Sequence, residues 1–332
     1  MIRKLVKLGL AAGLLALAAA PASAEPFKLR VSYDTIPTHL APIMFRMPGV
    51  MKFYNKDYTI DFIRFKGSSL VLQALAADQV DIGVLAFSTF ATGIVNANQP
   101  IKGIADVAQD GPSFSTVYAV TKDSPIKTVK DLKGDTIGVN AFGGAVDMAA
   151  RGVLRKNGLT PDKDVRLIEA SFGAMEAMTK ANKIQVGAFL APFWAKAQKD
   201  GGFRALFQQK DAMGTTQFLF FCAKEDFIKA HRDVLVKFLT DYVRGIGAVH
   251  DAKNREQVLK IMSDLTNRPP AAFADWALLP GKDFFHDPHG AVNVKALQSN
   301  IDSLAELKMI AHSFDVTKHI DNSLVEEASK GM

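Results

Sequence analysis

Strand-like and helix-like runs alternate from Phe27 to Phe193, and this alternation constrains the fold more than any other feature of the 332-residue chain. "FKLRVSY" (27–33) leads to helical spacing from about His39 to Tyr54. "YTIDFIRF" (58–65) leads to "GSSLVLQALA", and "VDIGVLAF" (80–87) leads to "STFATGIVNAN". A second series follows "STVYAVTK" (115–122): "TIGV" (136–139), a helix from about Ala145 to Asn157, "DVRLIEA" (164–170), a helix near Ala174 to Ala181, and "IQVGAFLAPF" (184–193). Such alternation predicts an α/β fold with parallel-type sheets flanked by helices.

The two series share one plan. Laying Gly83 on Gly187 sets "FKGSSLVLQALAADQVDIGVLAFSTF" over "EASFGAMEAMTKANKIQVGAFLAPFW", each a strand, a small polar turn, a short helix ending near Asp78 or Asn182, a strand and an aromatic loop. After "TTQFLFFCAK" (215–224) no new series begins; Val234, Leu235, Phe238, Leu239, Tyr242, Val243 and Ile246 fall instead at helical spacing. The expectation is a discontinuous lobe I of residues 25–115 and 222–332 carrying the C-terminal helices. Residues 116–221 form an inserted lobe II, and the two crossing strands form a hinge.

Arg3, Lys4 and Lys7, the apolar run Leu8 to Ala20 and the small residues Ala22 and Ala24 read as an export leader over residues 1–24. Removing it lowers the formal net charge by three, from +6 to +3. The remaining Lys and Arg are interspersed with acids and form no basic patch, which argues against nucleic acid. Cys222, the one cysteine, lies in an apolar strand and reads as a buried small hydrophobe. Export without a disulfide framework points to a periplasm and to stability from a hydrophobic core.

Ligands of open α/β sheets sit beyond the carboxyl ends of strands. Gly67, Ser68 and Ser69 follow such an end. They read as a helix cap and as an anion or carbonyl site, since free N–H groups and the helix dipole favour acceptors there. Gly143 and Gly144 repeat the arrangement in the second series. Ser88 and Thr89 follow a third strand end, and Asp34 and His39 lie in the first strand-to-helix loop, where Asp34 could pair with a ligand amine and His39 with an acid group. Tyr33, Phe87, Phe114, Phe142, Pro192, Phe193 and Trp194 gather at the same ends and suit an apolar or planar ligand body.

No G-x-S-x-G elbow, phosphate-binding loop or dinucleotide fingerprint occurs in the sequence. "HDPH" (286–289) is too sparse to predict a metal, and neither metal nor cofactor is expected.

The segments "GSSLVLQALAADQVDIGV", "VKDLKGDTIGVNAFGGAVDMAARGVLRKNGLTPDKDVRLIE" and "GAFLAPF" resemble the periplasmic substrate-binding proteins of ABC importers, in the nitrate, sulfonate and taurine class. The resemblance implies a type II-like two-lobe clamp. It would act as a monomer, close on one small molecule by hinge motion and deliver it to an ABC permease with its ATPase. One departure is Ile184-Gln185-Val186, where relatives carry Val-Asp-Ala; the first series keeps Val80-Asp81-Ile82, and the carboxylate is read as structural. The favoured ligand is a small organic anion, a sulfonate or carboxylate, with an aromatic body or a taurine-like zwitterion also open. Two alternatives share the fold: an enzyme similar to pyrimidine-precursor synthases, and a ligand sensor feeding a membrane receptor.

Overall fold

The computed structural model describes residues 25–111 and 113–332, so the expected leader lies outside the described residues. In chain order the elements are β1 (Phe27–Tyr33), α1 (Ala41–Met44), β2 (Tyr58–Arg64), α2 (Ser68–Ala76), β3 (Gly83–Ala86), α3 (Phe87–Val95), β4 (Ile101–Asp110) and β5 (Val117–Thr121). There follow β6 (Thr136–Val139), α4 (Ala145–Lys156), β7 (Arg166–Glu169), α5 (Phe172–Lys180), β8 (Val186–Phe189), α6 (Ala191–Asp200), β9 (Phe203–Gln208) and α7 (Gln209–Met213). The chain closes with β10 (Thr216–Lys224), α8 (Glu225–Ala230), α9 (Arg232–His250), α10 (Arg255–Thr266), α11 (Val294–Glu306) and α12 (Ser323–Lys330). No helix among the described residues is long and apolar enough to cross a membrane.

The strands form two sheets of one topology. β1 pairs with β2 and joins β3 through the Val31–Ile82 bridge, while β10 lies between β3 and β4. The order is therefore β2-β1-β3-β10-β4, and the other sheet runs β7-β6-β8-β5-β9. In both, the strand next to the crossing takes the fourth place and runs antiparallel to its partners. The sheets are thus mixed, not parallel throughout. β5 and β10 enter straight from the other lobe, without the helical crossover that a parallel neighbour requires.

The crossings themselves precede those strands. Between Asp110 and Thr116, and between Gln209 and Thr216, the two passages are tied by Gln209 N donating to Thr116 O (2.9 Å) and Lys210 N to Ser115 Oγ (3.0 Å), while Gln209 Nε2 donating to Thr216 Oγ1 (3.1 Å) closes the second passage on itself. Asn300 on α11 braces the second passage, accepting from Gln217 N (3.0 Å) and donating to Thr215 O (3.0 Å). β10 pairs with β4 from Thr216 to Lys224 and with β3 at Leu219–Cys222, so the expected boundary at 221/222 falls within this strand.

The repeat is physical as well as textual. A Cβ on Gly83 would lie 2.5 Å from Leu75, and one on Gly187 would lie 2.8 Å from Thr179, so each glycine admits the helix packed on its strand. Asp78 and Asn182 adopt left-handed φ values of 53° and 55°. Each closes a Schellman motif, with Gln79 N bonded to Ala74 O (2.8 Å) and Lys183 N to Met178 O (2.9 Å). Asp81 accepts from Arg30 N (2.8 Å), and Gln185 Oε1 accepts from Thr136 N (3.0 Å) at the matching place on β6. Gln185 therefore keeps the backbone contact that the carboxylate makes in the first lobe, without the charge.

The helix expected from His39 to Tyr54 stops at Met44. Gly49 turns the chain at φ 72°, and the amides of Lys52, Phe53 and Tyr54 then bond to the Asp241 carboxylate on α9 (2.5, 3.0 and 2.8 Å). The C-terminal helices pack on the first sheet side, where Phe238 stacks on Phe45 at 5.6 Å and Tyr242 Oη donates to Asp106 O at 2.9 Å.

Candidate ligand cleft

The carboxyl ends of both sheets face one another across a chamber of about 40 Å³. Its lining comes in matched pairs: Asp34 after β1 and Asn140 after β6, Ser68 and Phe172 opening α2 and α5, Ala86 ending β3 and Leu190 following β8. Gly67 and Gly144, the N-caps of α2 and α4, add two helix starts, and neither has a side-chain cap. Their first-turn N–H groups therefore lack the usual intrahelical partners and present a positive dipole end from each lobe. Val71, Val84, Val146 and Phe218 supply apolar wall. Among the described residues, no Lys or Arg lines the chamber.

Its polar groups are few and poorly satisfied. Thr38 Oγ1 and Asn140 Oδ1, one from each lobe, are buried without a hydrogen-bond partner. Burial raises the Asp34 carboxyl to about 6, opposed by the Arg64 guanidinium and by Thr35. His39 is held neutral, its pKa lowered to about 3 by burial and by His286. Its Nδ1 accepts from Asp34 N (3.3 Å), which leaves the proton on Nε2.

Tyr33, Asp34, His39, Gly67, Ser68 and Gly144, all expected from sequence, line this chamber. A second expected group joins the lobes instead. Ser69 Oγ donates to Phe142 O (2.8 Å) and Ser88 Oγ to Gly143 O (3.0 Å); Thr89 Oγ1 reaches Gly143 O (3.4 Å) and Ser68 Oγ (2.7 Å). The serines do not act as caps: Ser68 already lies in the helix, and Ser88 and Thr89 lie in the first turn of α3 behind Ala86. The side chain of Phe142 is largely exposed, its ring 5.9 Å from the Arg151 guanidinium.

The expected aromatics scatter. Phe87 is fully buried in the core. Phe193 stacks on Phe172 at 6.0 Å and sits under the Arg268 guanidinium at 5.6 Å. Phe114, Pro192 and Trp194 line a separate, larger cavity. Asn140, Thr38 and Phe172 were not picked out by sequence reasoning. Asn140 had a signal, since once β6 is set on β1 by the Ile137–Val186 and Val31–Ile82 pairings it occupies the place of Asp34. In "HDPH", His286 Nδ1 bonds to Val107 O (2.7 Å) and Asp287 accepts from His289 N (2.9 Å), contacts that fold the loop.

Two mixed sheets of identical order, joined by paired crossings and meeting over a chamber at their strand ends, define the fold of the periplasmic binding proteins. The profile of the NMT1/THI5-like family matches residues 53–254, and the chain belongs to that family. A protein of Escherichia coli (strain K12), provisionally named an aliphatic sulfonates-binding protein, is 25% identical over 220 residues; the match spans 65% of this chain and 66%, just under two thirds, of the relative. The periplasmic nitrate-binding protein NrtA of Synechocystis PCC 6803 superimposes with a TM-score of 0.72 at 15% identity, over 93% of this chain and 89% of its own. The desulfurization enzyme DSZB also shares the fold, with a TM-score of 0.65 at 12% identity over 92% of this chain and 99% of its own.

Proposed function

We propose that this protein is the periplasmic solute-binding component of an ABC importer. It would close by hinge motion on a small organic anion, a sulfonate or carboxylate, and deliver it to the permease. The lobes are residues 25–115 with 216–332, and 116–215. The observation that carries the reading is the convergence of the uncapped starts of α2 and α4, from opposite lobes, on one chamber without a cationic side chain. Such a site binds an anion through N–H groups and helix dipoles and excludes a competing full counter-charge. The chamber volume, about 40 Å³, is that of roughly three waters at ~10–15 Å³ each and suits a compact head group. A ligand touching both lobes stabilises the closed form by its differential affinity, the form that a permease would select. The named binding function of the Escherichia coli relative supports the same chemistry.

A thermal-shift series of aliphatic sulfonates, carboxylates and nitrate tests this. A ligand at a thousand times its Kd stabilises the fold by about 4 kcal/mol. Absence of stabilisation by every anion would overturn the anion reading, and release of product from a bound sulfonate would make the protein an enzyme.

A further inference from the structure

The larger cavity, about 1010 Å³, lies beside the crossings, between α6 and the segment from Arg268 to Lys282. It shares no lining residue with the small chamber. The chain has two tryptophans, and both line this cavity: Trp194 from lobe II and Trp276 from lobe I, with Phe114 on the first crossing beside them. Trp276 is nearly fully buried, at 4% exposure, and its Nε1 is already bonded to Ala272 O (2.7 Å), so its indole offers a surface and not a donor.

The rim has the opposite character. Five cations and two carboxylates line the cavity, an excess of three positive charges, as large as that of the whole chain from residue 25 onward. Lys196 is paired with Glu176 and Asp200, but among the described residues no carboxylate pairs with Lys199, Lys210, Arg268 or Lys282. Those four are exposed, and they belong to both lobes and to the crossing. Aromatic walls below unpaired cations recognise a ring that carries an acid group: the ring packs on the indoles, and the acid meets the rim.

We propose that this cavity is a second binding site, distinct from the small chamber, for an aromatic monoanion such as an arenesulfonate. Because both lobes and the crossing line it, its occupant would bear on lobe closure as well.

Benzenesulfonate is the probe, with benzyl alcohol as its neutral counterpart. Titrated into the purified protein, benzenesulfonate is expected to change tryptophan fluorescence saturably, and benzyl alcohol is not. The charge reversals Arg268→Glu and Lys210→Glu together are expected to weaken the effect at least tenfold; should that pair not fold, Lys199→Glu with Lys282→Glu serves equally. Ser68→Leu, which fills the small chamber, is expected to leave the signal intact. Equilibrium dialysis of the probe gives the same readout independently of the indoles. No binding by either method, equal response to benzyl alcohol, or loss of the signal in Ser68→Leu would each overturn the proposal. Failure of aliphatic sulfonates, carboxylates and nitrate alike to bind the small chamber, with the benzenesulfonate signal retained, would remove the anion reading of that chamber and leave this site standing.

Discussion

Asp34 and Asn140 occupy the same place in the two lobes, and the difference between carboxyl and amide sets how binding responds to pH. The Asp34 carboxyl is pushed up to about 6 by burial. A bound anion favours its protonated form, so above that pH binding must take up a proton. Affinity for an anion is therefore flat below pH 6 and falls above it, by up to about tenfold per unit for one proton. Calorimetric titration between pH 5 and 8 should show this slope, and Asp34→Asn should flatten it. A ligand that places an amine against Asp34 would reverse the sign, with affinity rising as the carboxylate forms. Cys222 behaves as its apolar surroundings in the sequence suggested: it is fully buried in β10, and burial raises its thiol well above the ordinary value. It should resist a thiol reagent until the protein unfolds.

At the scale of elements, Asp241 shows how a helix decides the path of a distant loop. Its carboxylate accepts from three consecutive amides, Lys52 to Tyr54, and from Tyr58 Oη at 2.8 Å. Asp241→Ala would strand these donors in the interior at a cost of about 3–5 kcal/mol, visible as a lowered midpoint in urea unfolding. Nothing in "VMKFYNK" announces that loop, because its acceptor lies almost two hundred residues away; helical spacing alone suggested a helix. β4 was hidden for a related reason. "IKGIADVAQD" looks too polar for a buried strand, yet Asp106 is bonded to Gln217 Nε2 (2.6 Å) and Gln109 to Asn293 Nδ2 (3.0 Å) inside the fold. By contrast, β1, β6 and α4 were legible nearly to the residue. Their partners are local, and the pattern of one apolar face is written in the segment itself.

The whole molecule turns on how closely the lobes can meet. Gly67 has φ 140°, and a Cβ there would stand 2.8 Å from Ala141 Cβ across the cleft. Gly67→Val should therefore hold the lobes apart: small-angle scattering should give a larger radius of gyration than wild type and no contraction on adding ligand. Each lobe should keep its own hydrogen-exchange protection. The sequence located this face of the cleft through its glycines and serines, because turns after strands carry recognisable residues. It did not separate the two cavities, since that depends on how α6 and the 268–282 segment lie across the crossing.

The fourth place in each sheet also bears on the order in which the protein can assemble. The strands of the second sheet, β5 to β9, all lie between Val117 and Gln208 and can pair as soon as that stretch is available. β3 and β4 do not touch each other as neighbours; the strand between them, β10, arrives about a hundred residues after β4 has ended. Until then both carry open edges, the condition in which chains associate wrongly. In pulse-labelled refolding, amides of β6 and β8 should gain protection before those of β3 and β4. A chain cut before Thr216 should retain a protected second sheet beside an incomplete first one. The crossing that joins the lobes in the finished fold thus also makes the first sheet wait, during synthesis, for a strand that follows the second.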